Sequence, residues 1–259
     1  MNSAPIVPAA TILLIRDGLE GLEVFMVVRH HQIDFASGAL VFPGGKVDPQ
    51  DSSVADLCDG IDGLSEGDIA MQVGAVREAF EECGVLLARD ESGDVISGER
   101  LSTLQDDRAK LNAGELGLRD FLEREQLRLA CDLLVPFAHW ITPEMMPKRF
   151  DTKFYLVDAP NDQLLAHDGY ESVDSIWISP KAALQGNAEG TYTIIFPTRL
   201  NVELLAESDS VAAALTASRS RSIVTVLPWT EKRDDGNYLC IPADAGYAVF
   251  EEIMPARGG

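Results

Sequence analysis

The 259-residue chain is 46% hydrophobic and 24% charged, enough apolar material for one large or two small domains with a proper core, which argues against disorder. Its 42 acidic residues against 21 basic ones leave a formal net charge of −21, and a polyanion of that kind repels the phosphate backbone, so nucleic acid is disfavoured as a partner. No stretch reaches the roughly 18–20 uncharged apolar residues of a membrane helix, and the start MNSAPIVPAATILLIRDG lacks the basic region and small-residue cleavage site of a signal peptide, so a soluble, cytoplasmic protein with no membrane partner is expected.

In chain order, residues 11–28 read as two β-branched apolar runs around a glycine-containing turn, the pattern of a hairpin. A second extended segment ends in LVFPGGKVD, where Pro43 and the Gly44-Gly45 pair break the strand and permit close backbone approach. Residues 51–67 are polar and Gly/Asp-rich and read as a surface loop. A helix is expected from about Ile69 to Cys83, with Ser65 and Asp68 resembling a capping box and Gly84 placed to end it. Residues 86–130 carry dense charge with helical periodicity, read as two or three short helices interrupted near Gly114 and Gly117. Strands are expected at LLVPFAHWI, KFYLVDA and SIWIS, then a helix near 197–217 and strands at SIVTVLPW and YLCIP. Alternating strands and helices indicate a layered α/β fold, read as one elaborated domain. Cys58, Cys83, Cys131 and Cys240 form no CxxC pair and have no histidines at zinc-ligand spacing, so reduced structural thiols are expected.

On a helical wheel, Ile69, Val73, Val76, Phe80 and Cys83 fall on one face while Glu78, Glu81 and Glu82 fall opposite. Three carboxylates within one turn repel, and a hard divalent cation with a taste for oxygen ligands removes that penalty. Gly74 lies one turn before Glu78 on the acidic face, leaving room for ions; a solvated acidic face is the plain alternative.

The string Gly44-Gly45-Lys46-Val47-Asp48, followed by Arg77-Glu78-Ala79-Phe80-Glu81-Glu82-Cys83-Gly84-Val85, closely resembles the Nudix box: a glycine, five residues, an acid, seven residues, then R-E-U-x-E-E-x-G-U with U aliphatic. Counted from Gly45 the first acid is Asp51, where the pattern usually has Glu, and 25 residues separate it from Arg77 where the pattern has seven, an insertion of 18 at about 52–69. The stretches LVFPGGKVDPQDSS, VREAFEECGVLLARD and HWITPEMMPKRFDTKFYLV are similar to the nudix-motif-19 group of coenzyme A diphosphatase-like enzymes, over about residues 9–243. The FPGGKxDxxD stretch also resembles that of other coenzyme A-cleaving members. The chain ends in Ala256-Arg257-Gly258-Gly259, without the small-basic-Leu peroxisomal address of that group.

The resemblance implies an α/β/α sandwich around a mixed β-sheet, with 86–130 as a helical insertion, and a metal-dependent hydrolase acting on a small-molecule nucleotide. The expected substrate is coenzyme A or an acyl derivative, cut at its diphosphate by water with Mg²⁺ or Mn²⁺. By position Glu78, Glu81 and Glu82 are the metal-binding and catalytic acids, a carbonyl at Gly44 or Gly45 adds a ligand, Arg77 orients a carboxylate and Gly84 ends the helix. A further acid from a distant loop, Glu171 ahead of Asp174 and Glu144, is the candidate base. Arg29, Lys46 and Arg149 are the candidate cations for substrate phosphates, with an Arg149–Asp151 structural pair as the alternative. Hydrolysis of ADP-ribose or NADH, and a Nudix-fold binding module without turnover, remain the rival readings. The oligomeric state is open, a homodimer included.

Overall fold

The computed structural model describes residues 4–29, 39–163 and 172–254, with backbone alone at Arg29 and residues 172–174. The chain opens with β1 (Ile6–Gly18) and β2 (Gly21–Arg29), the expected hairpin, closed by the two residues between Gly18 and Gly21. Short strands β3 (Leu40–Val41) and β4 (Gly44–Lys46) follow, then a 3₁₀ turn over Asp51–Leu57 and β5 (Cys58–Asp59). The box helix α1 (Glu66–Glu78) runs into a π-helical turn over Ala79–Cys83. Next come β6 (Ala88–Arg89), the helices α2 (Gly98–Ser102), α3 (Gln105–Asn112) and α4 (Leu118–Glu125), and β7 (Arg128–Ala130). The long strands β8 (Val135–Ile141), β9 (Arg149–Asp158) and β10 (Ser172–Ile178) precede helices α5 (Pro180–Ala188), α6 (Phe196–Leu205) and α7 (Val211–Ser220). The described chain ends with β11 (Thr225–Val226), β12 (Trp229–Arg233), β13 (Gly236–Cys240) and β14 (Glu251–Ile253).

The main sheet has the order β10-β2-β1-β9-β8-β11, with β3 on β2 and β4 on β1. It is mixed: β1 runs parallel to β9 and antiparallel to β2, while β8 is antiparallel to β9 and parallel to β11. Strand alternation explains why the central segments are apolar throughout rather than every second residue. Ile12 and Leu14, with Phe25, Val27, Tyr155 and Val157, face a core containing Val73, Val76 and Phe80 of the box helix and its π turn, together with Leu111, Phe121 and Leu122. Leu13 and Ile15, with Val24, Met26 and Leu156, face a second core closed by Ala183, Leu200, Leu205 and Ala214 of α5–α7. Helices on both faces of a mixed sheet make an α/β/α sandwich. All four cysteines are buried and unbridged.

Three stretches depart from the sequence reading. The polar segment 51–67 is not plain loop: its 3₁₀ turn buries Asp51 and Val54, and β5 pairs with β7. The single helix expected near 197–217 is two, because Ser210 caps a new helix by accepting the Ala213 N–H at 3.3 Å. Of SIVTVLPW only Thr225 and Val226 join the main sheet; Pro228 has no N–H for a ladder, and the chain leaves for the separate β12-β13-β14 sheet. Among the described residues no helix is long and apolar enough to cross a membrane.

Candidate active site

The box helix starts where its side chains dictate. Ser65 Oγ accepts the Asp68 N–H at 3.1 Å, satisfying one of the free donors of the first turn. At the other end the α-helix widens into the π turn that carries Glu81 and Glu82, a local expansion found often at functional sites. Gly84, at φ 72°, then takes the left-handed conformation that stops the helix, and its N–H bonds back to Ala79 and Phe80. Arg108 of α3 completes this cap, donating from Nε and Nη2 to the Glu81 carbonyl at 3.1 and 2.9 Å and from Nη2 to the Glu82 carbonyl at 3.1 Å. A cation there also meets the negative end of the helix dipole.

Against this turn lies the glycine pair. The Gly44 N–H donates to Glu82 Oε2 at 2.9 Å, and a Cβ placed on Gly45 would sit 2.6 Å from the Glu78 carboxylate. Both glycines belong to β4, which pairs with Ala9–Thr11 of β1, so the sheet fixes the turn over the acids. The acidic face is therefore covered rather than solvated: Glu82 is 7% exposed, and the Glu78 and Glu81 side chains are 13% and 15% exposed.

Arg77 binds the cluster together. Its Nη1 donates to Glu78 Oε1 and Glu81 Oε2, both at 2.9 Å, its Nη2 to the Lys46 carbonyl at 2.8 Å, and its Nε and Nη2 to the two oxygens of Asp51 at 2.9 and 3.1 Å. Burial disfavours the charged guanidinium, but the hydrogen bond to Asp51 and the charges of Glu78, Asp51 and Glu81 outweigh it and hold the pKa above its ordinary value. Arg77 is thus the centre of a largely buried, five-acceptor fork and not a surface ion pair. Asp51, 2% exposed, also accepts the Asp48 N–H at 2.8 Å. The space beside Gly74 holds protein, since a Cβ there would meet Asp51 Oδ2 at 3.1 Å and Val47 Cγ2 at 3.2 Å. The room expected for ions is taken by the loop that brings Asp51 to Arg77.

The candidate substrate cations are dispersed. Lys46 is exposed beside the glycine turn. Arg149 is 5% exposed and donates from Nε to the Thr142 carbonyl at 3.0 Å, which braces the turn between β8 and β9. Its considered partner Asp151 instead lies 2.5 Å from His139 Nε2. A guanidinium so buried is not presented to a phosphate in solvent, which corrects the expectation for Arg149. Glu144 is exposed in that same turn. Glu171 and the side chains of Arg29 and Asp174 lie outside the described residues. Sequence reading missed Arg108: it is one arginine in a charge-rich stretch 24 residues beyond Gly84, and no local pattern points from it to the box.

The family described as the NUDT19 Nudix domain matches residues 59–202, more than half of the chain and including the whole helical half of the box. A putative nudix hydrolase 7 of Caenorhabditis elegans is 29% identical over 171 residues, 66% of this chain and 51% of that protein. The acyl-coenzyme A diphosphatase NUDT19 of Xenopus laevis is 24% identical over 205 residues, 63% of this chain and 54% of that protein. The chain spans about half the length of these curated relatives. A crystal structure of a NUDIX hydrolase from Alicyclobacillus acidocaldarius superposes with a TM-score of 0.66 at 27% identity, covering 82% of this chain and 96% of that one. With a Nudix sandwich, an intact acid-bearing helix and a family match over most of its core, the chain belongs to the Nudix hydrolases, in the NUDT19 Nudix domain family.

Proposed function

We propose that this protein hydrolyses the diphosphate of a nucleotide joined to another moiety, with coenzyme A or an acyl-coenzyme A as substrate and Mg²⁺ or Mn²⁺ as cofactor. The observation that carries the reading is the covered carboxylate cluster of Glu78, Glu81 and Glu82 under the Gly44–Gly45 turn. Its donor set is all oxygen, which fits a hard divalent cation. The cradle at Gly45 admits no Cβ beside Glu78, so the backbone of the turn lies close against that acid. Among the described residues no three acidic, histidine or cysteine side chains already converge as a metal group. Arg77 and the Gly44 N–H hold the acids in that arrangement.

When bound, the cation offsets charge developing on the phosphoryl oxygens and eases deprotonation of water. The chain does the rest. Glu78, Glu81 and Glu82 hold the cation, and the Gly44–Gly45 turn fixes their approach. Arg77 orients Glu78 and Glu81 through its hydrogen bonds to both carboxylates. Lys46 supplies a cation for an outlying phosphate oxygen. Glu171 is the proposed base that takes the proton from the attacking water.

The substrate assignment draws on the FPGGKxDxxD stretch and on the similarity to the Xenopus acyl-coenzyme A diphosphatase. Parallel assays of coenzyme A, acetyl-coenzyme A, ADP-ribose and NADH with either metal test it by product identity. Coenzyme A is expected to give 3′-phospho-AMP and 4′-phosphopantetheine. Glu82→Gln is expected to lower kcat by about 10²-fold or more. A kcat/KM for ADP-ribose or NADH about tenfold above that for coenzyme A would overturn the substrate assignment. Unchanged kcat in Glu82→Gln would overturn the metal site.

A further inference from the structure

Asp51, the acid that receives Arg77, opens a 3₁₀ turn that is not continuous. Val54, at φ −99° and ψ 16°, breaks it in two, and the buried Val54 side chain anchors it to the core by packing, which fixes depth but not orientation. The two-oxygen contact of Asp51 with Arg77 needs orientation, since a hydrogen bond weakens steeply with distance and angle. Directional contacts come from the 86–130 segment. Arg119 of α4 donates from Nη2 to the Ser53 carbonyl and grips the Asp56 carboxylate with Nη2 and Nη1 at 2.6 and 3.2 Å. Arg128 of β7 donates from Nη1 to the Asp56 carbonyl at 2.9 Å, from Nη2 to the Cys58 carbonyl at 3.0 Å and from Nε to the Asp59 carboxylate at 2.8 Å. Three carbonyls, on both sides of the break, are thus held by two guanidiniums 66 to 72 positions further along the chain.

The same segment holds the other half of the site, where Arg108 and Asn112 donate to the Glu81 and Glu82 carbonyls. Asp51 and the box acids are therefore both referenced to one stretch of chain, and Arg77 spans the gap between them. We propose that Arg119 and Arg128 are positioning residues for the acid cluster: by fixing the Ser53, Asp56 and Cys58 carbonyls they set where Asp51 meets Arg77, and through Arg77 where Glu78 and Glu81 stand. Their ion pairs alone would not do this. The Arg119 and Asp56 side chains are 36% and 65% exposed, and pairs so open to solvent add little to stability. As carbonyl donors the two arginines select one placement of the turn. Their bearing on turnover rests on the diphosphate-hydrolase reading above; their bearing on Arg77 does not.

The test follows the Arg77 Nε–H, which donates to the buried Asp51, in ¹⁵N-labelled full-length protein, its signal assigned by loss in Arg77→Lys. In Arg119→Met and in Arg128→Met its exchange with water is expected to quicken by about tenfold or more, because the turn that carries its acceptor loses its anchor. The kcat for coenzyme A should fall by about tenfold with KM unchanged, since neither arginine is assigned a substrate contact. The melting temperature should stay within a few degrees of wild type. Two controls separate the carbonyl contacts from charge alone. Asp56→Asn removes the ion pair and leaves the Ser53 carbonyl contact, and Arg89→Met removes an arginine whose hydrogen bonds go to Asp59 and Asp132. Both are expected to keep wild-type exchange at Arg77. Exchange unchanged in both Arg119→Met and Arg128→Met, or quickened equally in either control, reduces the two arginines to surface docking and overturns the proposal. Faster exchange at Arg77 in a protein that does not cleave coenzyme A supports the positioning role and removes only the activity assigned above.

Discussion

Arg77 is central to the electrostatics of the site, since it faces Asp51, Glu78 and Glu81 at hydrogen-bonding distance. Removing it leaves Asp51 buried without a counter-charge and two neighbouring glutamates repelling. Arg77→Met is therefore expected to cost about 3–5 kcal/mol, read from urea unfolding at pH 7, with Arg77→Lys falling between because an ammonium cannot reproduce the fork. The glycine pair separates position from stability. At Gly45 the atoms nearest an added Cβ are those of the Glu78 carboxylate, the far end of a side chain, whereas at Gly44 they include the Ala10 carbonyl at 2.4 Å and the Thr11 Cα at 2.6 Å, which are backbone. Gly45→Ala is expected to keep the melting temperature within a few degrees while kcat falls by about 10²-fold, because a displacement of about 1 Å suffices to spoil a catalytic geometry. Gly44→Ala is expected to lower stability by about 1–3 kcal/mol. Equal melting losses in both would contradict the contacts that distinguish them.

At the scale of elements, the box helix is held at both ends by parts of the chain distant from it. Its first turn is tied to the sheet, where Lys153 of β9 pairs with Asp68 and, with Ser65, holds that carboxyl below the usual range. Its last turn is tied to α3 through Arg108, while Phe80 of the π turn stacks on Phe121 of α4 with ring centroids 5.6 Å apart. The 86–130 segment thus acts as a buttress for the acids, through the hydrogen bonds of Arg108 and Asn112 to the Glu81 and Glu82 carbonyls and the packing of Phe121 on Phe80. Arg108→Ala is expected to cost about 1–2 kcal/mol from lost hydrogen bonds to the helix end, and to lower kcat together with stability because the Glu81 and Glu82 carbonyls lose their anchor. A variant with wild-type kcat at reduced melting temperature would limit Arg108 to a structural cap.

Over the whole molecule, a net charge of −21 means that compaction works against self-repulsion. Any salt relieves part of this by screening. A specific cation site adds to it by mass action, about 2.7 kcal/mol at 100 times the dissociation constant. Mg²⁺ in the millimolar range is therefore expected to raise the melting temperature beyond NaCl of equal ionic strength, and Glu82→Gln should lose that extra rise while keeping the screening part. Identical melting curves in Mg²⁺ and NaCl would argue against a metal site at the acids. Chelation with EDTA should reverse the gain.

What the sequence determined by itself is local or periodic. The hairpin of β1 and β2, the apolar face of α1, the Ser65 cap, the Gly84 stop and the three box acids all follow from spacing and from residue types with one strong conformational preference. The helical breaks at Gly114 and Gly117 follow for the same reason, with α3 ending at Asn112 and α4 starting at Leu118. Tertiary structure decided what depends on groups far apart in the chain. Asp51 reaches Arg77 across 26 positions, Arg108 reaches Glu81 across 27, and Arg149 turns from a phosphate-binding candidate into a buried brace for the Thr142 carbonyl. None of these partnerships leaves a periodic trace, because a hydrogen bond between distant side chains constrains neither neighbour's spacing. The acidic face shows the difference most plainly: three glutamates in one turn read equally as a solvated surface or a metal cluster, and only the folding of the Gly44–Asp51 segment over them takes that face out of water.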